Sequence, residues 1–592
     1  MNARGRKVGS VFAVLLLLAG VGGAQENARA AASRQTTPPA ATPRRGALAR
    51  PGAAAKGAKM QRPGKAAARA AMVGQNAGAS GGVVAPLAAL APNPGIFDAA
   101  ADEGNVPPNA IDGPVLAKLR ARGIEPANLC SDEVFIRRVY LDVIGTLPEP
   151  GDVYSFLQDR RPGKRAALID ALLARDEFAD YWALKWCDLL RVKAEFPINL
   201  WPNAVQVYHR WIHETVRENM PYDQFARELL TSNGSNFRVG PVNFYRAIQG
   251  RDPSAIAGAV ALTFMGERMD KWPQERRAGM AAFFSRIAYK ATGEWKEEIV
   301  CLNPASSTTL EAVFPDGHAV KVPPGEDPRR VFADWLIAPD NPSFARNVVN
   351  RIWAWLMGRG IIHEPDDIRP DNPPANPELL ALLEKELVRA KFDLRHIYRL
   401  ILNSRTYQQS PIPRSNAPDA EALFAYYPVR RLDAEVLIDA LDWIGGSGEN
   451  YSSLIPEPFT FIPNYERTIS LADGSISSQF LEMFGRPARD TGLESERSNQ
   501  PTDTQRLHLL NSTDVQRKIE QSGRLRRLAQ VAGGNRRDLI SRIYLNVLSR
   551  FPTPAELSAA EQYFQTPGLN PTQAATDLAW ALINTKEFLY RH

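Results

Sequence analysis

The sequence predicts a mainly α fold: a two-lobed helical body with a small β-hairpin insert, preceded by a disordered tether. Three observations carry this. Helix start signals of the Asn-Pro and capping-box kind recur ahead of apolar residues spaced at three and four. Strand-like alternation is confined to one stretch, 293–326. Residues 31–95 are Ala, Pro, Gly, Arg and Lys with almost no bulky apolar side chains, so they have no face to bury. At 592 residues the chain exceeds what one core usually serves. Its 44% hydrophobic content is that of an ordinary globular protein.

Residues 1–24 read as a signal peptide: Arg4, Arg6 and Lys7, then VFAVLLLLAG, then small residues ending at Ala24. The apolar run is too short to span a bilayer. Export leaves a mature chain with no transmembrane segment, placed in the periplasm or cell envelope. Residues 25–105 form the basic Ala/Pro-rich tether. Its 31–95 stretch holds nine basic residues and no acids, and the first thirty residues carry a net +3. The whole chain is +6, so everything from residue 96 onward is net −6. The pI near 9.1 therefore describes the leader and tether, and it gives no ground for specific nucleic-acid binding.

A first helical domain spans 106–292. EVFIRRVYLDVIGTLPEPGDVYSFL gives a helix, a Pro148/Pro150 turn and a second helix. Leu168, Leu172, Phe178, Trp182 and Trp186 anchor the next helices, and SAIAGAVALTFMG is an apolar stretch. The insert at 293–326 alternates in EEIVCLNP and TLEAVFPDGHAVKVPP, with Pro315-Asp316-Gly317 as the hairpin turn.

The second helical domain, 327–592, holds the clearest helix grammar. Asn341-Pro342 and Asn376-Pro377 each set an N-cap before a Pro at the first helical position, and Asp393 caps a third helix. Ala345, Val348, Val349, Ile352, Trp353 and Leu356 make one apolar stripe, which Gly358 and Gly360 end. RRLDAEVLIDALDWI is a further helix. The loop-rich GRPARDTGLESERSNQPTDTQ then leads into RLHLLNSTDVQRKI, read as one helix. Arg138–Pro150 is echoed by Arg542–Pro554, and ALIDALLARDEF by DLAWALINTKEF. Cys130, Cys187 and Cys301 are an odd count with no Cys-x-x-Cys, which excludes a disulfide framework, a zinc ribbon and a dithiol redox site.

FIRRVYLDVIGTLPEP, ALIDALLARDEFADYWALKW and PYDQFARELL resemble the first of two paired domains of unknown function. These occur in exported, cytochrome-associated proteins of planctomycete and verrucomicrobial type. NPSFARNVVNRIWAWLMGRGI, DDIRPDNPPANPELL, RRLDAE, RPARDTGLESERSNQPTDTQ and ALINTKEFLYRH resemble the second. The resemblance implies an exported, mainly helical protein without an established activity. It fails at one place. Many relatives carry Cys-x-x-Cys-His, a c-type haem attachment motif, after the apolar stretch. Here Phe264-Met265-Gly266 and Lys271-Trp272-Pro273 are joined by Glu267–Asp270 alone.

Two kinds of site are open from the residues. For metal, zinc or calcium, His209 and His213 lie at i, i+4 with Glu214 adjacent, although Val205, Ile212 and Val216 favour half-buried, hydrogen-bonded histidines. His363, Asp366 and Asp367, with Glu364 and Asp371, could gather oxygens, but they lack the EF-hand spacing, and pairing with Arg359 or Arg369 competes. For acid–base chemistry, Arg486, Arg489, Asp490, Glu494, Glu496 and Arg497 crowd one loop, where an ion-pair network is the competing reading. No P-loop, Gly-x-Ser-x-Gly or dinucleotide fingerprint occurs.

The function expected is an exported interaction or scaffold protein, working beside envelope redox or polysaccharide-degrading machinery. Its partner would be another exported protein or an envelope polymer. A metal-dependent or carboxylate-based hydrolase acting on an extracellular polymer is the alternative. No cofactor is expected, and covalent haem least of all, because thioether attachment needs two thiols beside a ligating His. The chain matured in a host competent for c-type cytochromes should be colourless. A Soret band that survives acid–acetone extraction would overturn this.

Overall fold

The helix Pro342–Met357 starts where Asn341 turns its side chain back to accept from the Ser343 N–H at 3.1 Å, and it ends on Gly358 at φ 74°. In the computed structural model, which describes residues 96–99 and 106–592, this helix is the centre of the core. All six residues of the predicted stripe are buried, but so are Asn347, Asn350, Arg351 and Met357 on its other sides. The polar ones are buried because they bond to neighbouring backbone. Asn347 Nδ2 donates to the Thr263 carbonyl at 2.8 Å, and Asn350 brackets Ile362 through both its N–H and its carbonyl at 2.9 Å. The helix is thus enclosed around most of its circumference, where the spacing predicted a one-sided stripe.

The fold is mainly α, and among the described residues strands make only three small sheets. Asn376 and Asp393 cap Pro377–Arg389 and Leu394–Leu402 as their sequence predicts. Thr553 and Glu556 close a capping box on Pro554–Phe564. The echo is local structure as well: Lys164–Leu173 breaks before Asp176–Leu189, and Pro571–Ile583 breaks before Lys586–Leu589. RLHLLNSTDVQRKI is two helices, Asp503–Asn511 and Thr513–Glu520. Ser512 ends the first and its hydroxyl caps the second, accepting from Val515 N–H.

The β segment starts earlier than the alternation suggested. Strand β1 is Gly234–Ser235, β2 Ile287–Ala291 and β3 Glu298–Leu302, an antiparallel sheet ordered β1-β3-β2. β2 lies inside the stretch read as helical. Arg286, just before it, donates to the carbonyls of Thr308, Pro323 and Glu326, which draws the chain out of the Gln274–Ala282 helix. The predicted hairpin is β4 (Leu310–Val313) and β5 (Ala319–Val322), turning on Gly317 at φ 95°. β6 (Arg430–Arg431) pairs with β7 (Tyr590–Arg591) and ties the end of the chain to its middle.

The two helical halves meet across aromatic side chains. Trp182 and Trp186 from Asp176–Leu189 lie 5.4 and 5.7 Å, ring to ring, from Trp355, and Trp182 lies 4.4 Å from Tyr398. Among the described residues no helix is long and apolar enough to cross a membrane. The signal-peptide and tether readings fall outside the described residues, apart from 96–99.

The apolar stretch Pro253–Val260 continues as a π turn, Ala261–Met265, and stops at Gly266 with φ 66°. A Cβ there would lie 2.7 Å from Asn347 Oδ1 and 2.9 Å from the Pro365 carbonyl. Gly266→Ala combines left-handed strain with overlap against a fixed helix and should cost about 2 kcal/mol or more in urea unfolding. Gly317→Ala also has positive φ but meets nothing within 4 Å. It should cost only about 1 kcal/mol. Equal losses would show that the close packing at Gly266 contributes nothing.

Candidate functional site

The charged loop 485–502 lies on the helices Asp176–Leu189 and Ala434–Gly445, and glycines let it come that close. A Cβ on Gly492 (φ 74°) would stand 2.6 Å from the Leu189 carbonyl and 2.9 Å from Arg191 Nε. Held there, its arginines reach carboxylates that the spacing did not single out. Arg489 Nε donates to Asp188 at 2.8 Å, and Arg497 donates to Asp188 at 2.7 Å and to both oxygens of Glu435 at 2.7 and 3.0 Å. Arg486 stands 3.5 Å from Glu435 and also donates to the Ile476 carbonyl.

The network continues past the loop. Asp433, fully buried, accepts from Tyr181 at 2.8 Å, Lys185 at 3.0 Å, Arg591 at 3.1 Å and Asn499 at 2.7 Å. Burial pushes the Asp433 and Glu435 carboxyls up. The surrounding cations outweigh it and hold both below the usual carboxylate range. The signal for Lys185 and Asp188 was present in DYWALKWCDLL, as charges set among aromatic anchors.

The loop's own acids have separate duties. Asp490 pairs with Lys193 at 2.6 Å. Glu496 folds back to accept from the Asp490 N–H at 3.2 Å and the Thr491 N–H at 2.5 Å, which closes the turn. Glu494 differs. It accepts from Trp355 Nε1 at 3.0 Å, faces Arg351 Nη1 at 4.0 Å, and leaves its side chain 24% exposed. Burial raises its pKa against the opposing pull of Lys185 and Arg351.

The metal candidates do not converge. Asp366 is buried 2.6 Å from Arg351 and accepts from the Glu494 N–H at 2.6 Å. Asp367 turns outward to Arg369 at 3.0 Å, and His363 lies exposed 3.6 Å from Glu364. His213 Nε2 bonds Asp180 at 2.9 Å, with the His209 ring stacked 6.2 Å away. Burial, then the charges of Arg489 and His213, pull His209 down to about 3, so it is neutral at physiological pH. Asp180 was invisible in the His spacing. Among the described residues no three His, Cys, Asp or Glu side chains are grouped to hold a metal. Thioether-linked haem does not fit either. Phe264–Trp272 carries no Cys or His, Cys130 and Cys187 are buried elsewhere, and Cys301 lies in β3.

A second feature is apolar. Loop 447–467 presents Leu454 (88% exposed), Phe459, Phe461 (70%) and Tyr465 to solvent. Phe459 rests 5.5 Å from Trp201, which closes the turn carrying Phe196, itself 81% exposed.

Arg497→Met leaves Asp188 and Glu435 short of their shared partner, and stranding buried charge costs about 3–5 kcal/mol. Unfolded carboxylates titrate near 4. The stabilisation from Asp433 and Glu435 is therefore complete above about pH 4 and is lost as pH falls through their lower folded values. Urea unfolding should show the full deficit of the variant at pH 7 and a smaller one near pH 3, where a Glu435 stripped of its Arg497 partner protonates. A deficit independent of pH would mean that Arg497 stabilises by packing alone.

Residues 110–289 match the model of PSCyt2, a protein of unknown function (DUF1549), and residues 328–564 match PSD1, a protein of unknown function (DUF1553). No curated protein and no solved structure matches the chain. The chain carries both of these domains of unknown function in tandem, the first ending in β2 and the second beginning after β5.

Proposed function

We propose that this chain is an exported interaction protein of the cell envelope or periplasm. It docks a protein partner through its exposed aromatic side chains Phe196, Phe459 and Phe461. The observation that carries this is the contrast between its two long loops. Loop 485–502 spends its charges internally, in ion pairs with Asp188, Glu435 and Lys193, whereas loop 447–467 turns large apolar side chains outward. Aromatic side chains grouped on a surface are the usual anchors of protein interfaces. A carboxylate hydrolase needs two acids facing one substrate, and Glu496 and Asp490 are already engaged, which favours the interaction reading. Export rests on the signal pattern of residues 1–24. Work beside redox or polysaccharide-degrading machinery rests on the resemblance to cytochrome-associated proteins.

Phe459→Ser with Phe461→Ser removes the anchors without touching the core. Affinity capture from an envelope extract of the source cell should recover a stoichiometric protein partner with the wild-type chain. The double variant should lose it, with unchanged circular dichroism. Equal recovery by both chains, or retention on insoluble polysaccharide in place of a protein, would refute the proposal.

A further inference from the structure

Away from both loops, a cleft of about 430 Å³ opens between the Gly266–Arg276 segment, the helix Pro342–Met357 and the proline-rich stretch 370–377. Its size is that of a small-ligand site. The charged side chains lining it are Arg276, Arg346, Arg369, Glu267 and Glu384. They are layered. Glu267 and Glu384 are only 14% and 17% exposed, whereas Arg276 and Arg346 are 33% and 35% exposed. The acids thus lie behind and the guanidiniums in front.

Arg369 is engaged by Asp367 and Asp371, whereas Arg276 and Arg346 are braced from the rear. Glu384 takes Arg346 Nε at 2.8 Å. Arg276 Nε donates to the Pro315 carbonyl at 2.9 Å, its Nη2 meets Glu267 at 3.2 Å, and its guanidinium lies 3.6 Å over the Trp272 ring. Among the described residues this leaves both terminal nitrogens of Arg346 and one of Arg276 without a hydrogen-bond partner, although Glu267 also feels the Arg346 charge. Guanidiniums fixed by one edge and free at the other are arranged to take carboxylates. The lining also includes Pro370, Pro373, Pro374 and Leu380, a stiff apolar surface that suits a carbon frame and gives a bare inorganic ion little to rest on.

We infer that this cleft binds a small organic acid with two or more carboxylates, held by Arg276 and Arg346 and lying against the proline wall. The site is independent of the aromatic surface. It uses groups that no part of the proposed partner docking requires.

Calorimetric titration of the full chain with citrate tests this. Saturable one-to-one binding is expected, weakened at least about tenfold in Arg276→Gln and in Arg346→Gln, each with wild-type circular dichroism. Arg506→Gln, an exposed arginine outside the cleft, should bind citrate as the wild type does. Sulfate at equal ionic strength should bind at least about tenfold more weakly than citrate, because it cannot use the wall. Four results would each overturn the inference. They are no saturable heat, equal binding by the cleft variants, an equal loss in Arg506→Gln, or sulfate binding as tight as citrate. Residues 31–95 are basic in every one of these chains, so their contribution cancels in the comparison.

Discussion

Arg591 stands between two carboxylates that have no access to water, 3.3 Å from Asp142 and 3.1 Å from Asp433. Asp142 belongs to the first helical half, Asp433 heads a helix of the second, and Arg591 comes from the last strand. The hub spreads from there. Asp142 also accepts from Tyr407, Tyr427 and Arg430 at 2.8–2.9 Å. Asp433 leads through Lys185 back to the first half and through Asn499 into the charged loop. Burying so many charges adds little net stability, because desolvation offsets most of the attraction. Its effect lies in the asymmetry. An arrangement that shifts one element strands an ion in the interior, which disfavours registers in which Asp142 or Asp433 loses its cations.

That constraint explains which parts of the fold were legible in the sequence. Caps and breakers act on their own neighbours, so Asn341, Asn376, Asp393, Thr553 and Gly317 could be placed from local chemistry. The buried stripe of Pro342–Met357 followed from spacing. The near-complete enclosure of that helix did not, because Asn347, Asn350 and Arg351 look like a solvated face until their backbone partners at Thr263, Ile362 and Leu262 are in view. β2 was missed for a similar reason. Arg286 takes its three carbonyls from up to 40 residues away in sequence, and no periodicity announces that.

The site divides along the same line. The crowding of charge in 485–502 marked a special loop, and the competing reading of an ion-pair network names what most of those side chains do. Their partners could not be named. Asp188, Glu435 and Asp433 lie roughly 50–300 residues from the arginines they hold, and in sequence each looks like an ordinary charge on a helix. The His209/His213 pair is a different case. A spacing of four puts two rings on one helical face, but which third group joins them is decided by packing. Here it is Asp180, from another helix, bonded to His213 alone.

The same interior limits where function can reside. A buried arginine that satisfies two acids cannot also polarise a substrate without breaking a contact that holds the halves together. Evolution of new chemistry at Arg489 or Arg497 would therefore compete directly with folding. Groups at the rim escape this conflict. Phe459 and Phe461 hang from a loop whose removal from water is left incomplete, and Arg276 and Arg346 are braced from behind yet open in front. Glu494 sits on the boundary between the two classes, bonded inward through Trp355 and still reached by solvent. A core whose charges are tied across the two halves gives such rim groups a stiff mounting, and stiff presentation lowers the entropy lost when a partner or ligand binds. In this chain the polar interior is such a mounting for the surfaces proposed to bind partner and ligand.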